Sequence, residues 1–240
     1  MNTVKIEQKK ATKIVAHRGV SGLETENTIA AFVAAGNRSY FGIETDTHIT
    51  ADGQYVVMHD SQTGRVAEHN LNIGQTTLAE LQTVALKDKD GTCGRIDLRI
   101  PLLKDYIKLC KKYEKTAVLE LKDDFTDAQL DEIYEICKEY GDLDKTVFIS
   151  FIYTNVERIK HSHPKQQVQF LSERISEELI VRLESDKIDL DVYYPELTEE
   201  WVKKCHRSGI EVNCWTVDDL EDAKRLIGYG VDYITSNILE

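Results

Sequence analysis

The stretch TAVLELKDDFTDAQLDEIYEICKEYGDLDKTVFISF (116–151) holds one complete structural repeat. The six residues Thr116–Leu121, apolar but for Thr116 and Glu120, read as a buried strand, and residues 127–140 carry apolar positions at helical spacing. Gly141 closes that helix, and a second strand follows over Thr146–Phe151. Strand, helix and strand within thirty-six residues form a βαβ unit, whose two strands lie parallel in one sheet.

The same rhythm continues to the end of the chain. Strands are expected at Gln167–Leu171, Ile188–Tyr193, Glu211–Val217 and Tyr233–Thr235, with helices over 155–161, 176–186, 198–208 and 219–229. Ser176-Glu177-Glu178 and Thr198-Glu199-Glu200 read as helix starts, and Gly209 and Gly230 as helix ends. Toward the N-terminus, Lys13–His17 and Gly42–Ile49 are further strands, and Asn27 or Thr28 can cap a helix running through Val33. Asp52-Gly53 is a turn signal, so Tyr55–Met58 returns antiparallel as an added hairpin strand. Residues 61–98 are the least regular part, with one short helix expected at Leu78–Val84, and Pro101 opens the next helix. Strands near 15, 45, 119, 149, 169, 191, 214 and 234 make eight, each but the last followed by a helix. Eight β/α units in 240 residues predict a TIM (β/α)8 barrel. We expect one barrel domain over 1–240, preceded by a polar arm at 1–12, because no linker or composition break divides the chain.

Composition narrows the partners. The chain is 41% hydrophobic and 30% charged, with a formal net charge of −12. That charge argues against nucleic acid or an anionic membrane surface, so any anion site must be built from a few aimed cations. The N-terminal MNTVKIEQKKATKIV has no apolar signal region and no stretch approaches a membrane span, which leaves a cytoplasmic protein as the expectation. The five cysteines (93, 110, 137, 205, 214) form no CxxC pair and read as buried, reduced thiols.

In a barrel of this kind, residues at the carboxyl ends of strands face the active site. His17 closes the first strand, Glu44 and Asp46 share one face of the second, and Glu120 and Lys122 share one face of the third. If those faces point inward, three carboxylates converge above the barrel, and such a set of hard oxygen donors suits Mg2+ or Ca2+. Arg18 and Lys122 would offset the charge of a bound phosphodiester, and His17 and His59 could serve as general acid and base. The pair His161/His163, the Asp88–Gly91 segment and Glu173 read as surface features, because none has the spacing of a complete metal site.

These residues resemble the glycerophosphodiester phosphodiesterase family. The likeness rests on VAHRG (15–19), ENTIAAF (26–32), the Glu44/Asp46 pair with ITADG (49–53), and VVMHD (56–60). It continues through TLAEL (77–81), IPLL (100–103), LELK (119–122), Trp215 in CWTV and the closing DYITSN. The resemblance implies hydrolysis of glycerophosphodiesters to glycerol 3-phosphate and an alcohol. It also implies a divalent metal (Mg2+, Ca2+ or Mn2+) on Glu44, Asp46 and Glu120, and catalysis by His17 and His59. Arg18 and Lys122 match the phosphate-contacting cations, Glu26 matches the glutamate of the Glu-Asn-Thr motif, and Trp215 could wall the glycerol or leaving-group side. Three departures stand out: Thr25 in place of a proline, Thr235-Ser236-Asn237-Ile238 in place of an acidic residue and proline, and no Arg-Thr-Thr run after His59-Asp60. A lysophospholipase D or sphingomyelinase D-like substrate, or a non-catalytic phosphate-binding barrel, are the competing readings.

Overall fold

Nine strands form one sheet in the computed structural model, which describes residues 2–240. They are β1 (Lys13–Ala16), β2 (Gly42–Ile49), β3 (Tyr55–Val57), β4 (Thr116–Leu121), β5 (Thr146–Ser150), β6 (Gln167–Ser172), β7 (Asp189–Tyr193), β8 (Val212–Trp215) and β9 (Tyr233–Ser236). Eight of them pair in parallel in the order β1-β9-β8-β7-β6-β5-β4-β2, and the β1–β2 pairing closes the ring. The sheet is therefore a closed eight-stranded parallel barrel with helices between its strands, the TIM barrel that the repeat predicts. The remaining strand, β3, adds antiparallel to the upper part of β2, with Thr47 opposite Val57 and Ile49 opposite Tyr55.

The helices are α1 (Ile29–Gly36), α2 (Leu78–Leu81), α3 (Leu103–Lys112), α4 (Asp127–Tyr140), α5 (Tyr153–Ser162), α6 (Glu177–Asp186), α7 (Glu199–Arg207) and α8 (Leu220–Tyr229). Most begin on a polar cap whose side chain accepts from the first turn: Thr28, Thr77, Thr126, Ser176, Thr198 and Asp219. Alternation along the strands sorts the core. Outward residues such as Ile43, Leu119, Phe148, Leu190, Val212 and Ile234 pack beneath the helices, while Val15, Val118, Val147, Ile149 and Leu171 fill the barrel interior.

The structure amends the sequence reading in several places. Pro101 does not open a helix, because its carbonyl accepts from Val57 N at 2.9 Å and α3 starts only at Leu103. Residues 61–98 are irregular yet packed, with Val56, Met58, Ala67, Ile73, Leu81, Leu86, Leu98 and Ile100 forming a satellite core. The expected helix there is shorter, ending at Leu81. The polar arm is docked: Ile6 is buried, and the Val4 and Ile6 amides donate to Ile238 and Glu240 carbonyls at 3.0 and 2.7 Å. Four cysteines are buried, but Cys93 is exposed. Among the described residues no helix is long and apolar enough to cross a membrane.

Candidate active site

Parallel register places Asp46 of β2 beside Glu120 of β4, and alternation puts Glu44 on the same inward face as Asp46. The three carboxylates are buried and offer oxygens within 4.8 Å of one another. Such a group costs heavily to desolvate unless cations answer it. Lys122 Nζ lies 2.8 Å from Glu120 Oε1 and 3.5 Å from Asp46 Oδ1, and Arg18 Nε lies 3.5 Å from Asp46 Oδ2. The Arg18 amide donates to Glu44 Oε2 at 2.8 Å, and Asn27 Nδ2 donates to Asp46 Oδ2 at 2.7 Å. Asp46 Oδ1 is buried without a hydrogen-bond partner.

Charge is unevenly shared within the triad. Burial raises Glu44 well above the usual carboxylate range, with the neighbouring Asp46 charge adding to it. The same two causes push Glu120 up to about 7. Asp46 is instead held low: burial works against its charge, but Arg18 and Lys122 overcome it. Hard oxygen donors gathered this closely, with one oxygen lacking a partner, fit a divalent cation such as Mg2+ or Ca2+.

The loop after β1 brings the motif residues over this triad. Arg18 and Gly19 adopt left-handed φ values of 53° and 75°. A Cβ on Gly19 would stand 2.6 Å from the Ala31 backbone, so only glycine lets the loop lie against α1. His17 Nδ1 meets Asn237 Oδ1 at 2.8 Å. Asn237 presents its oxygen because its amide nitrogen donates to Asp218 Oδ2 at 2.6 Å. His17 therefore donates through Nδ1 and leaves Nε2 bare, 3.9 Å from Glu44 Oε2. Burial, followed by the Arg18 charge, pushes the His17 pKa down to about 4.

His59 arrives from the other side on the chain leaving β3. Its Nδ1 donates to Asp60 Oδ1 at 2.6 Å, which also leaves Nε2 free. Its backbone carbonyl lies 3.2 Å from His48 Nε2, and His48 Nδ1 meets Asp123 Oδ1 at 2.8 Å. Burial lowers the His59 pKa, opposed by Asp46 and assisted by Arg18 and Lys122. Burial disfavours the Asp60 charge, yet hydrogen bonds from Arg65 and His59 bring it down to about 2.

A cavity of about 100 Å³ lies between these groups, lined by His17, Arg18, Glu44, His59, Glu120 and Trp215 among others. Trp215 makes edge contact with Phe151 and a tilted contact with Tyr193, both at 5.5 Å between ring centroids. Two larger clefts of about 510 and 540 Å³ lie elsewhere, against α5 and against α8 with the N-terminal arm. Neither is lined by the carboxylate triad, so size is no guide to the chemistry here. Glu26 stands behind the cavity, where Arg18 Nη1 donates to it at 2.9 Å and Arg65 grips it through both oxygens at 2.8 Å.

The structure thus brings together His17, Arg18, Glu44, Asp46, His59, Glu120, Lys122 and Trp215, with Glu26 one layer behind. His161 is exposed and His163 stacks on Tyr134 at 3.5 Å between centroids, so neither reaches the site. Glu173 is exposed, and Asp88–Gly91 is a turn closed by the Gly91 amide on the Asp88 carbonyl at 2.9 Å. Sequence reasoning missed Asn27, His48, Asp60, Arg65, Asp123 and Asn237, the partners that fix the orientation of the others. Asp60 and Asn27 were in plain view inside the quoted motifs.

Comparison with known proteins follows the same outline. Residues 17–239 match the family described as the glycerophosphoryl diester phosphodiesterase family. A glycerophosphodiester phosphodiesterase of Caldanaerobacter subterraneus subsp. tengcongensis is 29% identical over 231 residues, 94% of each chain. A human lysophospholipase D is 29% identical over 175 residues, covering 70% of this chain and 54% of that protein. Among solved structures, a phosphodiesterase of Oleispira antarctica in complex with the product sn-glycerol-3-phosphate superposes with a TM-score of 0.86. It is 26% identical, with 94% of this chain and 93% of that chain covered.

Proposed function

This chain belongs to the glycerophosphoryl diester phosphodiesterase family and hydrolyses glycerophosphodiesters, and from that premise we propose a metal-assisted, two-histidine mechanism acting on small deacylated head-group diesters. The observation that carries the reading is the convergence of three buried carboxylates and two bare imidazole nitrogens on one small cavity. Glu44, Asp46 and Glu120 would hold the divalent ion, Mg2+ or Ca2+ with Mn2+ as a further candidate. When bound, that ion supplies Lewis-acid polarisation of a phosphoryl oxygen and offsets negative charge.

Arg18 and Lys122 position the phosphate and stabilise the charge that grows on its oxygens during in-line displacement. Burial and the Arg18 charge keep the His17 imidazole neutral, so its Nε2 takes a proton from the nucleophile, which is either water or the substrate's own glycerol 2-hydroxyl, whose cyclic phosphate water would then open. His59 has the Asp60 carboxylate behind Nδ1, which partly offsets the burial that lowers its pKa, so it is the ring better placed to take up a proton at Nε2 and pass it to the departing alcohol. Trp215 walls one side of the cavity. The products are glycerol 3-phosphate and the free alcohol. The reading takes residues 1–240 as one barrel domain, with the arm and the 61–98 excursion as its parts.

A lysolipid substrate is the second reading, favoured by Phe151 and Tyr193, which lie exposed beside Trp215. One panel separates the two. Chelator-stripped protein is resupplied with Mg2+, Ca2+ or Mn2+ and offered glycerophosphocholine, glycerophosphoethanolamine, glycerophosphoglycerol and lysophospholipids. Metal-dependent release of glycerol 3-phosphate from the soluble diesters supports the proposal. Turnover of lysolipids alone supports the second reading, and silence across every pair would leave a phosphate-binding barrel.

A further inference from the structure

The 61–98 excursion delivers one guanidinium to the back of the site. Arg65 closes a short 3-10 turn, Thr63–Arg65, that is tied down on several sides. The buried Thr63 hydroxyl donates to the His69 carbonyl at 2.6 Å, Asn70 Oδ1 accepts from the Gly64 amide at 2.9 Å, and Lys87 Nζ donates to the Gly64 carbonyl at 3.2 Å. From that anchor, Arg65 Nε donates to Asp60 Oδ2 at 2.6 Å, while its two terminal nitrogens donate to Glu26 Oε1 and Oε2 at 2.8 Å.

Each carboxylate it holds has a second duty. Asp60 turns its other oxygen to His59 Nδ1, and Glu26 Oε1 also accepts from Arg18 Nη1. The result is a continuous chain, His59–Asp60–Arg65–Glu26–Arg18, across the rear of the cavity. Other excursion cations end elsewhere: Lys89 bonds the Ser21 carbonyl at 2.6 Å, and Arg95 bonds Glu24 at 2.8 Å. A half-exposed ion pair usually contributes little to stability. Three oriented hydrogen bonds from one planar fork are a different matter, because they fix direction as well as charge.

We propose that Arg65 is a positioning residue, which through Asp60 sets the ring orientation and tautomer of His59 and through Glu26 holds Arg18 over the phosphate. Without it, Asp60 is free to rotate and offer either oxygen, and two neighbouring carboxylates lose their shared counter-charge. The proposal rests on the functional reading of His59 and Arg18 given above, and its test includes a readout that needs no turnover.

Arg65→Ala, Arg65→Lys and Asp60→Asn are made, together with the Arg65→Ala/Asp60→Asn double variant. Arg65→Ala should lower kcat by about 10-fold or more at little cost in Tm, with Arg65→Lys recovering part of it. In the Asp60→Asn background the further loss should be under about 3-fold, because both changes break the same chain. In 15N-labelled protein, His59 should show one tautomer, protonated at Nδ1, in the wild type and a mixture in Arg65→Ala. If Arg65→Ala does not fold, the Arg65→Lys and Asp60→Asn spectra decide. Full retention of the wild-type tautomer, additive kcat losses, or kcat within 2-fold of wild type would each overturn the proposal. An inactive wild type would defeat the functional reading alone, leaving the imidazole signals to judge Arg65.

Discussion

Replacing Glu120 by glutamine should change how stability depends on pH, in a direction and size the site dictates. Burial and the Asp46 charge push Glu120 from an ordinary 4.5 to about 7 in the folded protein. A carboxyl that holds its proton more tightly when folded contributes stability in full below pH 4.5, and loses it as pH rises through 7. That shift corresponds to about 3 kcal/mol, or about 6–12 °C in Tm for a chain of this size. His17 works the other way. Its pKa falls from 6.5 to about 4, so its contribution is present above pH 6.5 and lost as pH falls through 4. The two slopes overlap, and the wild-type curve alone would hide both. The difference between wild type and Glu120→Gln cancels His17. Urea unfolding of chelator-treated proteins from pH 4.5 to 8 should show wild type losing about 3 kcal/mol relative to the variant. Added Mg2+ or Ca2+ at 100 times its Kd should then return about 2.7 kcal/mol to wild type, and less to the variant. A difference that stays flat across this pH range would refute the account of Glu120.

His17→Ala and His59→Ala should each lower kcat by about 100-fold to 10,000-fold with unchanged far-UV circular dichroism; near-wild-type turnover in either would remove that residue from proton transfer. Tyr106→Phe should cost about 1–3 kcal/mol in urea unfolding with kcat preserved, because its buried hydroxyl donates to the Ile43 carbonyl at 2.6 Å, outside the cavity. Gly19→Ala should cost at least about 2 kcal/mol and lower kcat as well, since the new methyl meets the Ala31 backbone and shifts Arg18. Intact stability there would show that the loop can move aside.

The barrel was legible because its signal is repeated. Largely apolar runs such as Thr116–Leu121 and capped helices such as α4 recur, and one missed boundary does not change the count. The site was legible for a related reason: alternation along β2 and β4 aims Glu44, Asp46, Glu120 and Lys122 from sequence spacing alone. What stayed hidden depends on partners far apart in the chain. Asn237 meets His17 across 220 positions, and Asp123 meets His48 across 75. Arg65 was obscured differently, since the run 61–98 has neither helical nor strand period, and its order comes from a satellite core that no local pattern announces. Pro101 misled because its fixed φ suits a helix start and an extended edge equally well.

The added strand β3 acts as a ruler. Thr47 faces Val57 across the hairpin, and the Met58 amide bonds the Asp46 carbonyl at 3.1 Å, so the next residue, His59, comes back level with the carboxylates. The gap between His59 and the carboxylate triad is thus measured out by counting residues down two limbs from the turn at Asp52-Gly53. A deletion in one limb would slip the count, moving His59 by roughly 3.4 Å and turning its face. Matched insertions, one in each limb, would lengthen the ruler at its far end and leave the near end unchanged. Such growth would have to carry along the contacts that hold the tip, where the Ala51 amide donates to the Thr76 carbonyl at 3.1 Å and Asp52 Oδ1 accepts from the Leu78 amide at 2.9 Å. Length variation in this hairpin should therefore come in pairs, a rule of arithmetic imposed by the chemistry at its base.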